Sequence, residues 1–478
     1  MFICFHRVRV NNKILVYYSI LNHNLIKYYS STMLSRLNYN KNKKKTYKNK
    51  KNKLMFKKTT VKINRKTSKT RKTSKNRFLK GGMFLDKGGF GCVITPALKC
   101  GVSKKINLNK SVSKIIRSED EDVINEITIS KLLKEIDPND TYFISIKDNC
   151  LLTEIPKERN DIIGVKYSSD GKKKTYNTSE KPNLDKKHCD LDLDEKPINL
   201  IMPFGGLSLN KLMKYKRKDD SNIKSMIHQL FVSNIKLFFK HLLIGLEKLH
   251  RNRIVHKDIK QKNIMVYLDP KEIETIKKLN VKEKNPSILT LMKIRYIDFG
   301  LSAHLTNNHT NKLDDIYLQG TYRYLPIERF IIHNLKKYKY ETKEYKENKI
   351  LKSINQVKNS PFDALKRINE KHLLTNLNKE TKNLIEKLLY LYENDRQKLL
   401  DKCYGINNVN KYNGYIQKSD VYSLGISIFD TLEYEKNSNV DVRQHKQLYD
   451  LLLKMIDLNP ETRYNVIECI NHPYFTTN

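Results

Sequence analysis

Two short stretches carry side chains whose types and spacing suit chemistry on a phosphate. The first reads His250-Arg-Asn-Arg-Ile-Val-His256-Lys257-Asp258-Ile-Lys260-Gln-Lys-Asn263-Ile-Met265, the second Tyr296-Ile-Asp298-Phe299-Gly300. Asp258 can accept a proton from an attacking hydroxyl, and Lys260 can neutralise charge on a phosphoryl group in transfer. Asn263 and Asp298 offer hard oxygen ligands of the kind Mg²⁺ takes beside phosphate oxygens. Apolar runs accompany both stretches and predict short strands that end where the polar groups begin. An Asp-Phe-Gly turn alone is a weak signal. Both stretches in this order argue against ordinary turns with solvated carboxylates.

Composition sets the frame for positioning these groups. A chain of 478 residues can bury one large core plus appendages. Its formal charge of +41 is unevenly spread: residues 1–85 hold 24 Lys and Arg and no acidic residue. The remainder has 68 basic against 51 acidic residues, or +17, so a basic globular body follows a polycationic tail. Residues 1–33 read as a poorly structured extension, with a targeting segment as the alternative because acidic residues are absent. Residues 34–80, rich in Lys, Asn, Thr and Ser, are expected to be disordered. Their functional reading is non-specific attachment to nucleic acid through counterion release, and a merely solvated tail is equally compatible. Seven scattered cysteines without metal-ligand spacing predict reduced thiols in a cytoplasmic compartment. No apolar run reaches the ~18 residues of a membrane span.

Order is expected to begin at Gly81. Glycines at Gly88, Gly89 and Gly91 let backbone approach phosphates closely, with Phe90 at the tip of the loop. Lys110-Ser-Val-Ser-Lys114-Ile-Ile reads as a strand. Apolar positions Ile129, Leu132, Leu133 and Ile136 then mark the buried face of a helix that includes Glu126 and Ser130. Phe238, Phe239, Leu242, Leu243, Leu246 and Leu249 predict a long amphipathic helix from Ile235 into the first stretch.

The two opening stretches resemble the H-R-D-x-K-x-x-N catalytic loop and D-F-G turn of eukaryotic-type serine/threonine protein kinases. The resemblance is closest to kinases of large DNA viruses, where a Gly-Gly-Phe-Gly-Cys-Val-type loop followed by Pro-Ala-Leu also occurs. It covers about residues 81–475. Other matching motifs are Gly320-Thr321 to Glu328, Ser419-Asp420-Val421-Tyr422-Ser423-Leu424-Gly425, and Asn459-Pro460 to Arg463, with Arg463 expected to pair with Glu328. The resemblance implies an α+β, two-lobed kinase fold. A small antiparallel-sheet lobe with its helix spans 81–204, and a larger, mainly helical lobe spans 205–478, behind the basic tail 1–80. Insertions fall at about 157–197, 270–286 and 335–412, and the last is expected to decorate the surface.

The resemblance also implies roles. ATP and Mg²⁺ are the expected cofactors and a protein Ser/Thr hydroxyl the acceptor. Asp258 and Lys260 would be catalytic, and Asn263 and Asp298 would hold the metal. The nucleotide would meet Asp86, Lys87, Gly88, Gly89, Phe90, Gly91, Val93, Lys114, Glu126, Gly205 and Met265. Asp86 stands where the family has its first loop glycine, and Ser130 where it has a core aliphatic, which predicts a loosely held helix. Lys257 replaces the arginine that clasps a phosphorylated activation segment, which implies activity without obligatory phosphorylation at Thr306, Thr310 or Tyr317. Competing readings are a pseudokinase scaffold, a basic nucleic-acid-binding structural protein and a small-molecule kinase.

Overall fold

The computed structural model describes residues 3–10, 13–20, 83–87, 91–100, 106–116, 121–152, 164–167, 173–176, 197–214, 223–273, 275, 288–305, 319–356, 374–405, 412–434 and 446–476. The chain separates into two units, Met1–Asn76 and Arg77–Asn478. In the first, β1 (Ile3–Val10) and β2 (Lys13–Ile20) pair antiparallel, with Ile3 opposite Ile20. This corrects the expected poorly structured extension over that stretch. Its β-branched and aromatic residues, among them Val8, Val10, Ile14, Val16 and Tyr17, favour a ladder. The basic run 34–80 lies outside the described residues.

The second unit begins with a five-stranded antiparallel sheet. Its order is β3 (Met83–Lys87), β4 (Gly91–Thr95), β5 (Ser111–Ile116), β9 (Ile198–Pro203) and β6 (Asp148–Leu151). Alternation along β5 decides what each face does. Ile115 packs with Cys92, Ile94, Leu98 and Leu152 on one side. Ile116 packs with Val123, Ile146 and Leu200 on the other, against the helix Glu121–Ile136. Lys114, two residues before Ile116, therefore shares the helix-facing side. Within the 157–197 insertion, β7 (Gly164–Tyr167) and β8 (Lys173–Tyr176) form a hairpin.

Ser130 corrects the expectation of a loose helix. It is buried, and its hydroxyl accepts the Ile146 N–H at 2.6 Å, a tie that an aliphatic side chain cannot make. The cysteine expectation also fails. Cys100 and Cys150 form a disulfide with Cα atoms 5.6 Å apart, and Cys92 is disulfide-bonded too, while Cys403 and Cys469 are free and buried. The bond joins Cys150 on β6 to Cys100 in the chain after β4, thiols 50 residues apart in sequence.

Below the sheet the chain is mainly helical. The helix Ile235–Arg251 begins at the expected residue, and all six apolar positions read from its sequence are buried. It feeds β11 (Ile254–Val255), which pairs with β14 (Ala303–His304). β12 (Ile264–Leu268) lies between β10 (Leu207–Ser208) and β13 (Met292–Tyr296).

The long stretch after Glu328 is not a surface decoration. Its helices Lys343–Gln356, Leu374–Asn394 and Arg396–Tyr404 place Ile350, Ile385, Leu388, Leu389, Leu399 and Cys403 in the main core. Burying that much apolar side chain makes the segment part of the lobe's stability. Among the described residues no helix is long and apolar enough to cross a membrane.

Candidate active site

Antiparallel register opens the site. Lys114 on β5 lies opposite Val93 on β4 and Leu200 on β9. Its Nζ donates to both Glu126 carboxylate oxygens at 3.0 and 2.8 Å, and to Asp298 Oδ1 at 2.6 Å. One amine from the upper sheet thus joins two carboxylates from separate elements. Burial pushes the Lys114 amine down, but Asp298 and Glu126 outweigh it and raise it above its ordinary value. Lys114 in turn holds the Asp298 carboxyl below the usual range against burial. Burial pushes the Glu126 carboxyl the other way, above its ordinary value, against the lowering effect of Lys114.

Asp258, Lys260 and Asn263 share one loop between β11 and β12. Its backbone is unusual at Lys257, which adopts left-handed φ at 68°, as Asp298 does beyond β13 at 69°. Such a conformation is costly for a lysine and persists only where surroundings impose it. Asp420, buried on the helix Tyr415–Tyr434, supplies the restraint. Its carboxylate accepts the His256 N–H at 2.7 Å and the Lys257 N–H at 2.9 Å, and His250 Nε2 lies 3.3 Å away. His256 locks the two stretches together, with Nε2 3.1 Å from Ile297 O and Nδ1 accepting the Asp258 N–H at 3.4 Å.

Four donors converge on the Asp258 carboxylate. Lys260 Nζ donates to Oδ2 at 2.6 Å and Asn263 Nδ2 at 3.1 Å, while the Thr321 N–H and hydroxyl reach Oδ1 at 3.0 Å each. Lys260 Nζ also reaches Thr321 Oγ1 at 2.9 Å. The β12–β13 register sets Ile264 opposite Tyr296, and the Ile297 N–H bonds Asn263 O at 3.0 Å, so Asn263 neighbours the Asp298 turn. Lys114, Glu126, Asp258 and Asp298 line one pocket together with Ile116, Asp122, Val123, Gly300 and Leu301.

The remaining expected residues fall as follows. Asp86 turns away: its carboxylate pairs with Lys211 Nζ at 2.7 Å, and its side chain is 61% exposed. Lys87 ends β3, whereas Gly88, Gly89 and Phe90 lie outside the described residues. Gly91 passes so close to β5 that an added Cβ would stand 1.9 Å from Ile115 O, which demands glycine there. Gly205 sits against Met265, whose Cγ would be 3.1 Å from an added Cβ. The Phe204 N–H is taken by Lys110 O at 2.9 Å.

Four residues escaped the sequence reading as contributors. Asn125 donates from its side chain to Gly300 O and Ser302 O, each at 2.7 Å. Gln319 accepts from Lys257 Nζ at 2.7 Å. Arg329 is buried beneath the same segment, and Arg323 pairs with Asp430. None has a local signal, since each acts on a chain segment fixed only by folding.

No protein-family model matches the chain. Over 136 residues it is 27% identical to the serine/threonine-protein kinase CAK1 of Saccharomyces cerevisiae, covering 24% of this chain and 32% of that protein. Over 289 residues it is 23% identical to the probable cyclin-dependent kinase 8 of Dictyostelium discoideum, covering 60% of this chain and 62% of that protein. The chain spans less than two thirds of the length of either relative. Together with the mixed antiparallel-sheet and helical fold, these likenesses support a protein kinase as the general class of this chain.

Proposed function

We propose that the chain is a serine/threonine protein kinase that transfers the γ-phosphate of ATP to a protein hydroxyl. The observation that carries this reading is the Lys114 amine held between Glu126 and Asp298, in one pocket with Asp258. In this reading Lys114 and the Gly88–Gly91 loop bind the triphosphate, and Val93 and Met265 flank the adenine. With the Phe204 N–H spent on Lys110, Gly205 is the next backbone donor for the base.

Asp298 and Asn263 fit a magnesium ion. One carboxylate and one carboxamide form a sparse, hard oxygen set, which suits an ion that keeps waters and phosphate oxygens as its other ligands. The Asn263 amide nitrogen is committed to Asp258, so its oxygen is the ligand atom. The bound ion would neutralise charge on the phosphate oxygens. Asp258 orients the acceptor hydroxyl and receives its proton, Lys260 offsets charge on the phosphoryl group, and Thr321 braces both.

The domain division of the sequence reading belongs to the same proposal: a kinase domain over 81–478 behind the basic extension 1–80. So do the likeness to viral kinases, which rests on the glycine-loop sequence, and the non-specific affinity of the tail for nucleic acid. Mg²⁺-dependent ATP binding tests the core of it. Asp298→Asn should abolish the Mg²⁺ dependence while leaving the fold intact by circular dichroism. Equal binding with and without Mg²⁺ in the wild type would remove Asp298 from its role.

A further inference from the structure

We propose that the turn between the helices Ile327–Lys337 and Lys343–Gln356 is a docking platform for single-stranded RNA. Bases stack on Tyr338, Tyr340 and Tyr345, and the lysines beside those rings hold the backbone phosphates. None of these residues lines the pocket of Lys114 and Asp258, and the inference does not rest on the kinase reading.

The sequence interleaves rings and cations. Residues 336–352 hold seven lysines and three glutamates, with tyrosines at 338, 340 and 345. Folding turns that alternation into a surface. Tyr340 is 92% exposed and Tyr345 is 40% exposed, and the rings of Tyr338 and Tyr345 meet edge to face with centroids 6.0 Å apart. A lysine amine lies by each ring: Lys337 is 5.4 Å from the Tyr338 centroid, Lys339 5.1 Å from that of Tyr340, and Lys349 5.1 Å from that of Tyr345. Single exposed aromatics are ordinary on a protein surface. Three on one turn, two of them in contact, form a patch of the kind that marks an interaction site.

The turn is held in place before any ligand arrives. The Tyr338 N–H bonds Asn334 O at 2.9 Å, the Glu341 N–H bonds Tyr338 O at 3.0 Å, and the Lys346 N–H bonds Thr342 O at 3.0 Å. Lys346 is buried, and its amine donates to Glu393 on the helix Leu374–Asn394 at 2.6 Å. Ile350, one turn further on, enters the core. A platform fixed in this way loses little freedom on binding.

The partner follows from the pairing of rings with cations. An acidic peptide would use the lysines and leave the rings idle. Each nucleotide of an unpaired strand instead offers a π face to a tyrosine and a phosphate to a lysine. A duplex hides those faces in its own stack. Glu341 and Glu344, both exposed and lying between Tyr340 and Tyr345 in sequence, repel phosphate but can accept hydrogen bonds from ribose 2′-hydroxyls, which favours RNA over DNA. Recognition by stacking carries little sequence preference.

The test uses the full chain in roughly 0.2 M salt, which weakens purely electrostatic retention by the basic tail. The probe is a fluorescent uridine-rich RNA of about 16 nucleotides. The double variant Tyr340→Ala/Tyr345→Ala should bind it at least about fivefold more weakly than the wild type. Tyr340→Phe/Tyr345→Phe, which keeps both rings, should bind like the wild type. Should the double alanine variant unfold, Tyr340→Ala alone changes a side chain that is 92% exposed and should show the same direction of effect. The same RNA carrying iodouridine should crosslink under light to Tyr340 or Tyr345, located by peptide mass spectrometry, and DNA of matched sequence should bind more weakly.

Alanine variants that bind RNA like the wild type, crosslinks confined to other residues, or equal binding of DNA would overturn the proposal. So would polyglutamate displacing the probe as well as polyuridine does, which would point to an acidic protein partner. None of these readouts involves phosphate transfer, so they stand or fall separately from the kinase reading.

Discussion

Arg463 and Glu328 meet face to face within the mainly helical part of the second unit, Nη1 to Oε1 at 2.6 Å and Nη2 to Oε2 at 2.9 Å, with neither side chain more than 1% exposed. Arg463 also donates from Nε to Asp457 O at 2.8 Å. A planar guanidinium satisfies both carboxylate oxygens at once, which offsets much of the cost of drying two charges. Arg463→Ala strands a buried carboxylate and should cost about 3–5 kcal/mol in chemical denaturation. Arg463→Lys should recover only part of that loss. An unchanged unfolding midpoint would contradict the pairing.

Asp420 makes the molecule acid-sensitive in a defined window. Burial pushes its carboxyl up, but the hydrogen bond and charge of His250, the charge of His256 and the His256 N–H outweigh burial and hold it below its ordinary value. A carboxyl depressed in the folded state contributes stability that is fully present above the unfolded value of about 3.9 and is lost as pH falls through the lower folded value. The wild type should therefore lose its advantage over Asp420→Asn only below about pH 4. Acid unfolding followed by fluorescence reads the difference. A gap between the two proteins that stays constant from pH 7 to pH 3 would contradict this.

Asp86 ends its side chain on Lys211, away from the position the proposed function gives the nucleotide. Both side chains are exposed, so the pair is worth at most about 1 kcal/mol and weakens with salt. Lys211→Ala should raise KM for ATP by less than about fivefold, and the difference should shrink in high salt. A larger, salt-independent effect would mean that Lys211 or Asp86 touches the nucleotide.

Cys100 and Cys150 close a loop of 50 residues between the β4 exit and β6. Cross-linking a loop of that length restrains the unfolded chain, and removing it should cost about 2–4 kcal/mol. Cys100→Ser should lower the thermal midpoint under oxidising conditions, and the variant and wild type should converge once both are reduced. Equal midpoints for the oxidised and reduced wild type would contradict a stabilising bond.

The grouping of the candidate site residues was legible in the sequence because much of it is local. Asp258, Lys260 and Asn263 lie within six residues, and the strand and helix that bring Lys114 to Glu126 follow each other directly. What escaped is non-local. Asn125 is an unremarked helix residue until Gly300 and Ser302 come within reach, and Gln319 has no meaning before Lys257 is turned by its positive φ. Ser130 read as a defect because pattern alone does not show a backbone N–H waiting at Ile146. The helices after residue 335 carried an apolar stripe whose partner, the core around Ile331 and Leu335, exists only in the fold.

Phosphotransfer by Asp258→Asn bears most directly on the account. The variant keeps the shape of a side chain on which Lys260, Asn263 and Thr321 converge but removes its capacity to take a proton. With labelled ATP, Mg²⁺ and a basic protein acceptor, the wild type should label Ser and Thr, and the variant should bind ATP as before yet transfer about 10²- to 10⁴-fold more slowly. An active wild type whose variant loses less than about tenfold would contradict the proposed role of Asp258.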